Sequence, residues 1–503
     1  HRRWCAIHSR RPSAAAPPPD GIIGLPMQSA PRGPDPDATQ RNNVGLRSAI
    51  LVLVACACRD TNDKPKQSVG SDAPGSGSAL VKDKQHRTQV ALTRVPTIQR
   101  KIATLRGLPM ERPIPAASQS TAEFREFVKR QLGKELPPDK AAKLQVAHHH
   151  IGLYTKAIDV VEVLEQTLTS QAAAYYDPAK KTFFVVMAPD DDVAMDTIVA
   201  HELTHAVQDQ HFDLSKFMSS TLDDDASLAR RFVVEGDATL AMFVYLAAEA
   251  TGGRALQPAM MKALRAQIEA LSAIGIREYG EMMRQQASAL GGMEADLKTA
   301  MESMDELPPV IIQPLIDSYM KGARLAVMAY EAGGWTALDA LYAQPPESTE
   351  QVLHPGEKLI GKRERPKLVA LPGLPKGAEL ERNVIGELQW SIYFDQWGVK
   401  QLEAARGWGG DRYAVIKRDD GSVIAYIATT WDSPKDAQEF ADAYVASLAQ
   451  RFKGAETSKP EAGVLRTDRG KVYVRLKGSH VFIVDGGDDR KALDQLVRGT
   501  TIK

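Results

Sequence analysis

Apolar positions recur three and four apart through much of the chain, as in residues 121–128 (TAEFREFV) and 158–164 (IDVVEVL). Residues 89 to about 170 therefore read as mainly helical and are expected to form the wall behind any site in the body. The period changes at residues 175–186, where aromatic and β-branched residues surround Asp177-Pro178 and predict strand, turn, strand. Asp196 then precedes Ile198, Val199, Leu203, Ala206 and Val207, a spacing that predicts an amphipathic helix with Asp196 as its N-cap. Met- and Ala-rich helices are expected over 256–303, and Pro308-Pro309 separates them from another helix over about 313–332. Prolines 345, 346, 355, 366, 372 and 375 break the pattern and place a boundary near 366–385. Beyond it, residues 413–416, 423–428, 472–476 and 480–484 read as strands. Residues 433–450 read as a helix with Ser433 at the N-cap and Pro434 at N1. The pattern predicts an α+β fold: a mainly helical domain with a small hairpin sheet over 89–370, then a small α+β domain over 371–503.

The N-terminal part follows different rules. Residues 1–43 are rich in Pro, Arg and Ala without periodicity and read as upstream sequence outside the native protein. Residues 44–55 combine a short basic start and an apolar run that extends from Ser48 to Cys56 with a small residue before the Cys, a lipoprotein signal segment with Val44 at the translation start. That run is far short of the ~20 residues a spanning helix needs. Leu53-Val54-Ala55-Cys56 resembles the bacterial lipobox, which implies lipidation at Cys56 and a membrane partner reached through that anchor. Ala57 stands where an Asp would imply retention at the inner membrane, so the expected place is the cell envelope, at an outer membrane and facing the periplasm or the exterior. Residues 56–88, with Gly and Ser at 70, 71 and 75–78, read as a flexible tether.

Composition narrows the chemistry. Lys plus Arg and Asp plus Glu both number 63, so no field steers the chain to nucleic acid, and no nucleic-acid partner is expected. The cysteines are Cys5, Cys56 and Cys58, so the body from residue 89 has neither a disulfide framework nor a Cys-ligated metal.

What the body does have is His201-Glu202-Leu203-Thr204-His205. On a helix, His201 and His205 at i and i+4 project from one face and can bind one metal ion. Glu202 beside them suits a general base taking a proton from a zinc-activated water. Two residues compete for a third ligand. His211 falls six positions after His205, but Gln208 occupies the position where a glycine would break the helix, and six residues correspond to about 240° of rotation, away from the other two. Glu235 comes after an acidic loop at Asp223-Asp224-Asp225, with room for a second helix to return its carboxylate, and Gly236 and Ala238 beside it allow close helix approach. The run His148-His149-His150 points in three directions on a helix and is expected on a solvated face.

The HELTHAVQDQHF segment with Glu235-Gly236 and Ala238 resembles the gluzincin metallopeptidases, and more narrowly a group of bacterial lipoproteins. The motifs at 175–178 (YYDP), 333–335 (GGW), 345–355 (PPESTEQVLHP) and 407–412 (GWGGDR) extend the resemblance over about 95–450. It implies a zincin-like fold, a Zn2+ cofactor held by His201, His205 and Glu235, Glu202 as catalytic base, and a peptide or protein substrate. Thermolysin-like members place an Asp one turn after the ligand Glu to orient a histidine. Here Ala238 and Thr239 stand there, so Asp237, Asp209 or a backbone carbonyl must serve. Tyr319 and His354 are candidates for stabilising the transition state. The competing reading is a catalytically weak or inert zincin-fold lipoprotein that acts as a binding or assembly module.

Overall fold

Helix formation in the body is set by caps and by apolar faces, which are narrow on residues 121–135 and extend almost all round on residues 192–212 and 224–250. The computed structural model describes residues 76–503, except 172, 189–191, 220, 253–257, 275–306, 454–463, 468 and 488–489. Helix α1 (Ser76–Arg106) is followed by strand β1 (Ala116–Ser118) and helices α2 (Thr121–Glu135), α3 (Pro138–Ile151) and α4 (Val160–Gln171). Strands β2 (Ala174–Asp177) and β3 (Thr182–Val185) lead to α5 (Asp192–Phe212), α6 (Asp224–Ala250), α7 (Pro258–Ser272) and α8 (Pro309–Ala343). Next come β4 (Val369–Ala370), β5 (Ala378–Asn383), α9 (Gly386–Gln396), β6 (Trp408–Lys417), β7 (Val423–Trp431) and α10 (Pro434–Arg451). Strands β8 (Val464–Thr467), β9 (Gly470–Lys477) and β10 (His480–Gly487), helix α11 (Arg490–Gly499) and β11 (Thr501–Ile502) complete the chain. The fold is mixed α+β, mainly helical with small sheets. Cys56, the signal segment and residues 56–75 of the tether lie outside the described residues, as does 275–303 of the expected Met-rich helices.

Several expectations shift. Residues 76–88 are helical rather than tether, because Ala79, Leu80, Lys82, Lys84, Gln85 and Arg87 all favour helix. Helix α5 starts a turn before Asp196, which pairs instead with Arg94 at 2.9 Å. Of the acidic run only Asp223 stays outside α6; its side chain accepts from the Ala226 N–H as N-cap, and Asp224 and Asp225 lie in the first turn, where carboxylates favour the helix dipole. Helix α8 runs past 332 to Ala343 across a kink at Gly333 and Gly334. Ser433 caps α10 with Pro434 at N1, its hydroxyl accepting from the Asp436 N–H.

Three sheets result. The hairpin β2–β3 is joined by β1, parallel to β3, with β2 left at an edge. The second is fully antiparallel in the order β5-β6-β7-β10-β9-β8, and β4 pairs with β11. The large sheet is buried on both faces by period-2 alternation: Val415, Ile427 and Ile483 join the core under α9 and α10, while Ile416, Tyr426 and Phe482 pack with Leu493 and Leu496 of α11. That first core continues without a break into the helical body through Phe232, Val244 and Tyr342. A second core holds α1 and α5 against β3 through Ile98, Ile102, Phe183, Leu203 and Val207.

Candidate metal centre

Helix α5 brings His201 and His205 together, and α6 crosses it with Glu235. The two imidazole Nε2 atoms are 3.1 Å apart, and Glu235 Oε2 lies 3.4 Å from that of His201 and 3.6 Å from that of His205. Among the described residues this trio forms a group able to hold a metal ion. Ligands about 2.0–2.1 Å from a tetrahedral zinc are separated by about 3.3 Å, so the three atoms are spaced as edges of such a tetrahedron. All three side chains are buried, and Glu235 Oε2 has no hydrogen-bond partner. A buried carboxylate oxygen without a donor is costly unless a cation meets it. Burial alone would raise the Glu235 pKa, but the two imidazoles outweigh it and hold the carboxylate below its usual range. Burial lowers the pKa of His201.

Behind His205 lies a network of which the sequence pointed only to Asp237. Its Nδ1 is 2.9 Å from Gln208 Oε1, and Gln208 Nε2 donates to Asp237 Oδ2 at 3.0 Å and to the Val234 carbonyl at 3.1 Å. Asp237 also accepts from Tyr342 Oη at 2.8 Å and from two nitrogens of Arg106, the last residue of α1. Arg106 is fully buried, reaches Asp339 as well, and lies with its guanidinium carbon 4.6 Å from the Trp335 ring centre. The kink in α8 brings Trp335, Asp339 and Tyr342 there: Gly334 has φ +68° and ψ −162°, a region essentially restricted to glycine. Of the orienting groups expected for the histidine, Asp237 acts through Gln208. Asp209 is engaged elsewhere, by Tyr176 Oη at 2.8 Å and Lys181 Nζ at 2.6 Å.

Glu202 follows His201 on α5, and one of its oxygens accepts from the Tyr176 N–H of edge strand β2 at 3.1 Å. Burial pushes its carboxyl up to about 8, against the opposing influence of His205. The expected hairpin thus meets the motif through a backbone donor.

The other candidates separate. His211 turns from the trio and its Nε2 bonds the Pro109 carbonyl at 2.7 Å. The Tyr319 ring lies 5.5 Å from that of His201. His354 pairs with Glu387 at 2.7 Å, not with the trio. The histidine run is not on a solvated face: α3 packs on the large sheet, with His150 Nε2 3.1 Å from the Asp485 carbonyl and His148 Nε2 3.1 Å from Tyr413 Oη. Burial lowers the His148 pKa to about 4.

Comparison with family models matches residues 374–497 to a domain of unknown function (DUF8575). The matched stretch runs from just before β5 into α11. No curated protein and no solved structure matches the chain.

Proposed function

We propose that this chain is a zinc-dependent peptidase of zincin-like fold, anchored by lipid at the cell envelope. The observation that supports this best is the convergence of His201, His205 and Glu235 on one buried point, with Glu202 one residue from the first. Bound there, zinc would lower the pKa of a water and polarise a scissile carbonyl. Glu202 would be the group that accepts a proton from the attacking water and passes it to the leaving amine. The Tyr176 N–H holds one carboxylate oxygen of Glu202 and so fixes the orientation of the base. The anchor reading rests on the sequence around Cys56. No helix among the described residues is long and apolar enough to cross a membrane.

A second reading, a binding or assembly module with a metal and no turnover, is favoured by the burial of all four residues, none more than 5 % exposed. Metal analysis of the purified body, combined with a peptide-library cleavage assay, separates the two. One zinc per chain with cleavage supports the peptidase; one zinc without cleavage supports the module; no zinc overturns both.

A further inference from the structure

We propose that Gln208 is the positioning residue that fixes His205 as a ligand, by joining its imidazole to the buried carboxylate of Asp237. This rests on the zinc reading. The amide orientation is determined by what surrounds it. The Val234 carbonyl can only accept, and the Asp237 carboxylate, held by Arg106 and Tyr342, accepts as well, so the group facing both must be the Gln208 nitrogen. The amide oxygen therefore faces His205 Nδ1, at 2.9 Å. An amide oxygen only accepts, so Nδ1 bears the proton, and a neutral imidazole with Nδ1–H presents a lone pair at Nε2. That Nε2 is the atom aimed at His201 and Glu235.

Neither a carboxylate nor an aliphatic side chain does this work at position 208. A carboxylate there would accept from Nδ1–H, but it would face Asp237 Oδ2 across about the same 3.0 Å with no proton between them. An aliphatic side chain would leave Nδ1–H without a partner in a fully buried setting and would take from Asp237 Oδ2 one of its three donors, Tyr342 and Arg106 remaining. The amide converts one requirement into the other, donating to the acid and accepting from the histidine. It also links the helices: Gln208 is on α5 with both histidines, and its bond to the Val234 carbonyl fastens it to α6 at the residue before Glu235. The direction of one ligand and the separation of the two ligand-bearing helices are set by the same side chain.

The test uses the full-length chain. In the zinc-loaded wild type labelled with 15N-histidine, His205 is expected to show a Nδ1–H that exchanges slowly with water and a metal-shifted Nε2. This measurement needs no variant to fold. Zinc affinity by chelator competition is expected to fall about 10–100-fold in Gln208→Leu, as for other groups that orient a ligand histidine. The metal-free variant should keep its far-ultraviolet circular dichroism and lose the protected Nδ1–H. Zinc on Nδ1 of wild-type His205, or undiminished affinity in Gln208→Leu, overturns the role of Gln208 while leaving the zinc reading intact. A wild type that takes up no zinc overturns the zinc reading, and the ligand role of Gln208 with it.

Discussion

Gly236 and Gly322 meet backbone to backbone: a Cβ on Gly236 would lie 2.1 Å from the Gly322 carbonyl oxygen. Helices α6 and α8 therefore touch one residue after Glu235, with no room for even a methyl group. Sequence reasoning expected Gly236 to allow close approach, and the helix that approaches is α8. Gly236→Ala must push the helices apart. The expected cost is about 1–3 kcal/mol of stability, as for other overpacked contacts, with weakened zinc binding because Glu235 moves with its neighbour. A urea midpoint equal to that of the wild type would contradict the contact.

The ligand assignment divides two residues that the sequence offered for one role. Glu235→Ala is expected to lose bound zinc, whereas His211→Ala, which gives up a bond to the Pro109 carbonyl away from the trio, should keep it. Zinc content by atomic absorption decides; the reverse pattern would restore His211.

Which parts of this could be read from sequence follows from the range of the interactions. His201, Glu202 and His205 are legible because helical spacing alone puts them on one face. Glu235 was reachable through its small neighbours and a resemblance. Gln208 stood in plain view, where it counted only as a missing glycine, because its role depends on Asp237 and Val234 in another helix. Arg106 was beyond reach, since 131 residues separate it from Asp237. Strand β1 (AAS) is too short for alternation to register, and polar β5 (AELERN) is an edge strand with most of its side chains away from a core. The histidine run misled because tertiary packing of α3 on the large sheet overrides what three adjacent polar residues suggest.

A second cluster of ionisable groups makes stability depend on pH. Glu350 is buried, and burial raises its carboxyl to about 8, with Lys358 opposing and Glu387 and Asp432 adding to the rise. Unfolded, the same group titrates near its ordinary 4.5. Between those values the folded chain holds a proton that the unfolded chain has lost, so this group's contribution to stability falls as pH rises through the window. Glu350→Gln, neutral throughout, lacks that slope. Its melting temperature relative to the wild type should climb from pH 5 to pH 9. A difference that stays constant or shrinks would contradict the raised pKa.

The anchor is tested at Cys56. Its replacement by Ala should move the protein from the membrane fraction to the soluble one, because the multiple acyl chains of a lipoprotein hold a bilayer firmly where a short apolar run does not. Equal release of wild type and variant would leave a secreted protein without an anchor.

In the proposed reaction the metal needs the two imidazoles and Glu235, while the water needs Glu202. Glu202→Gln keeps the shape and the Tyr176 N–H contact but removes the base. The most direct measurement is the peptide-cleavage rate of this variant and of the wild type at matched zinc content. Zinc bound as in the wild type, with the rate reduced about 100- to 10,000-fold, is the predicted result; wild-type turnover in the variant would rule out Glu202 as the base.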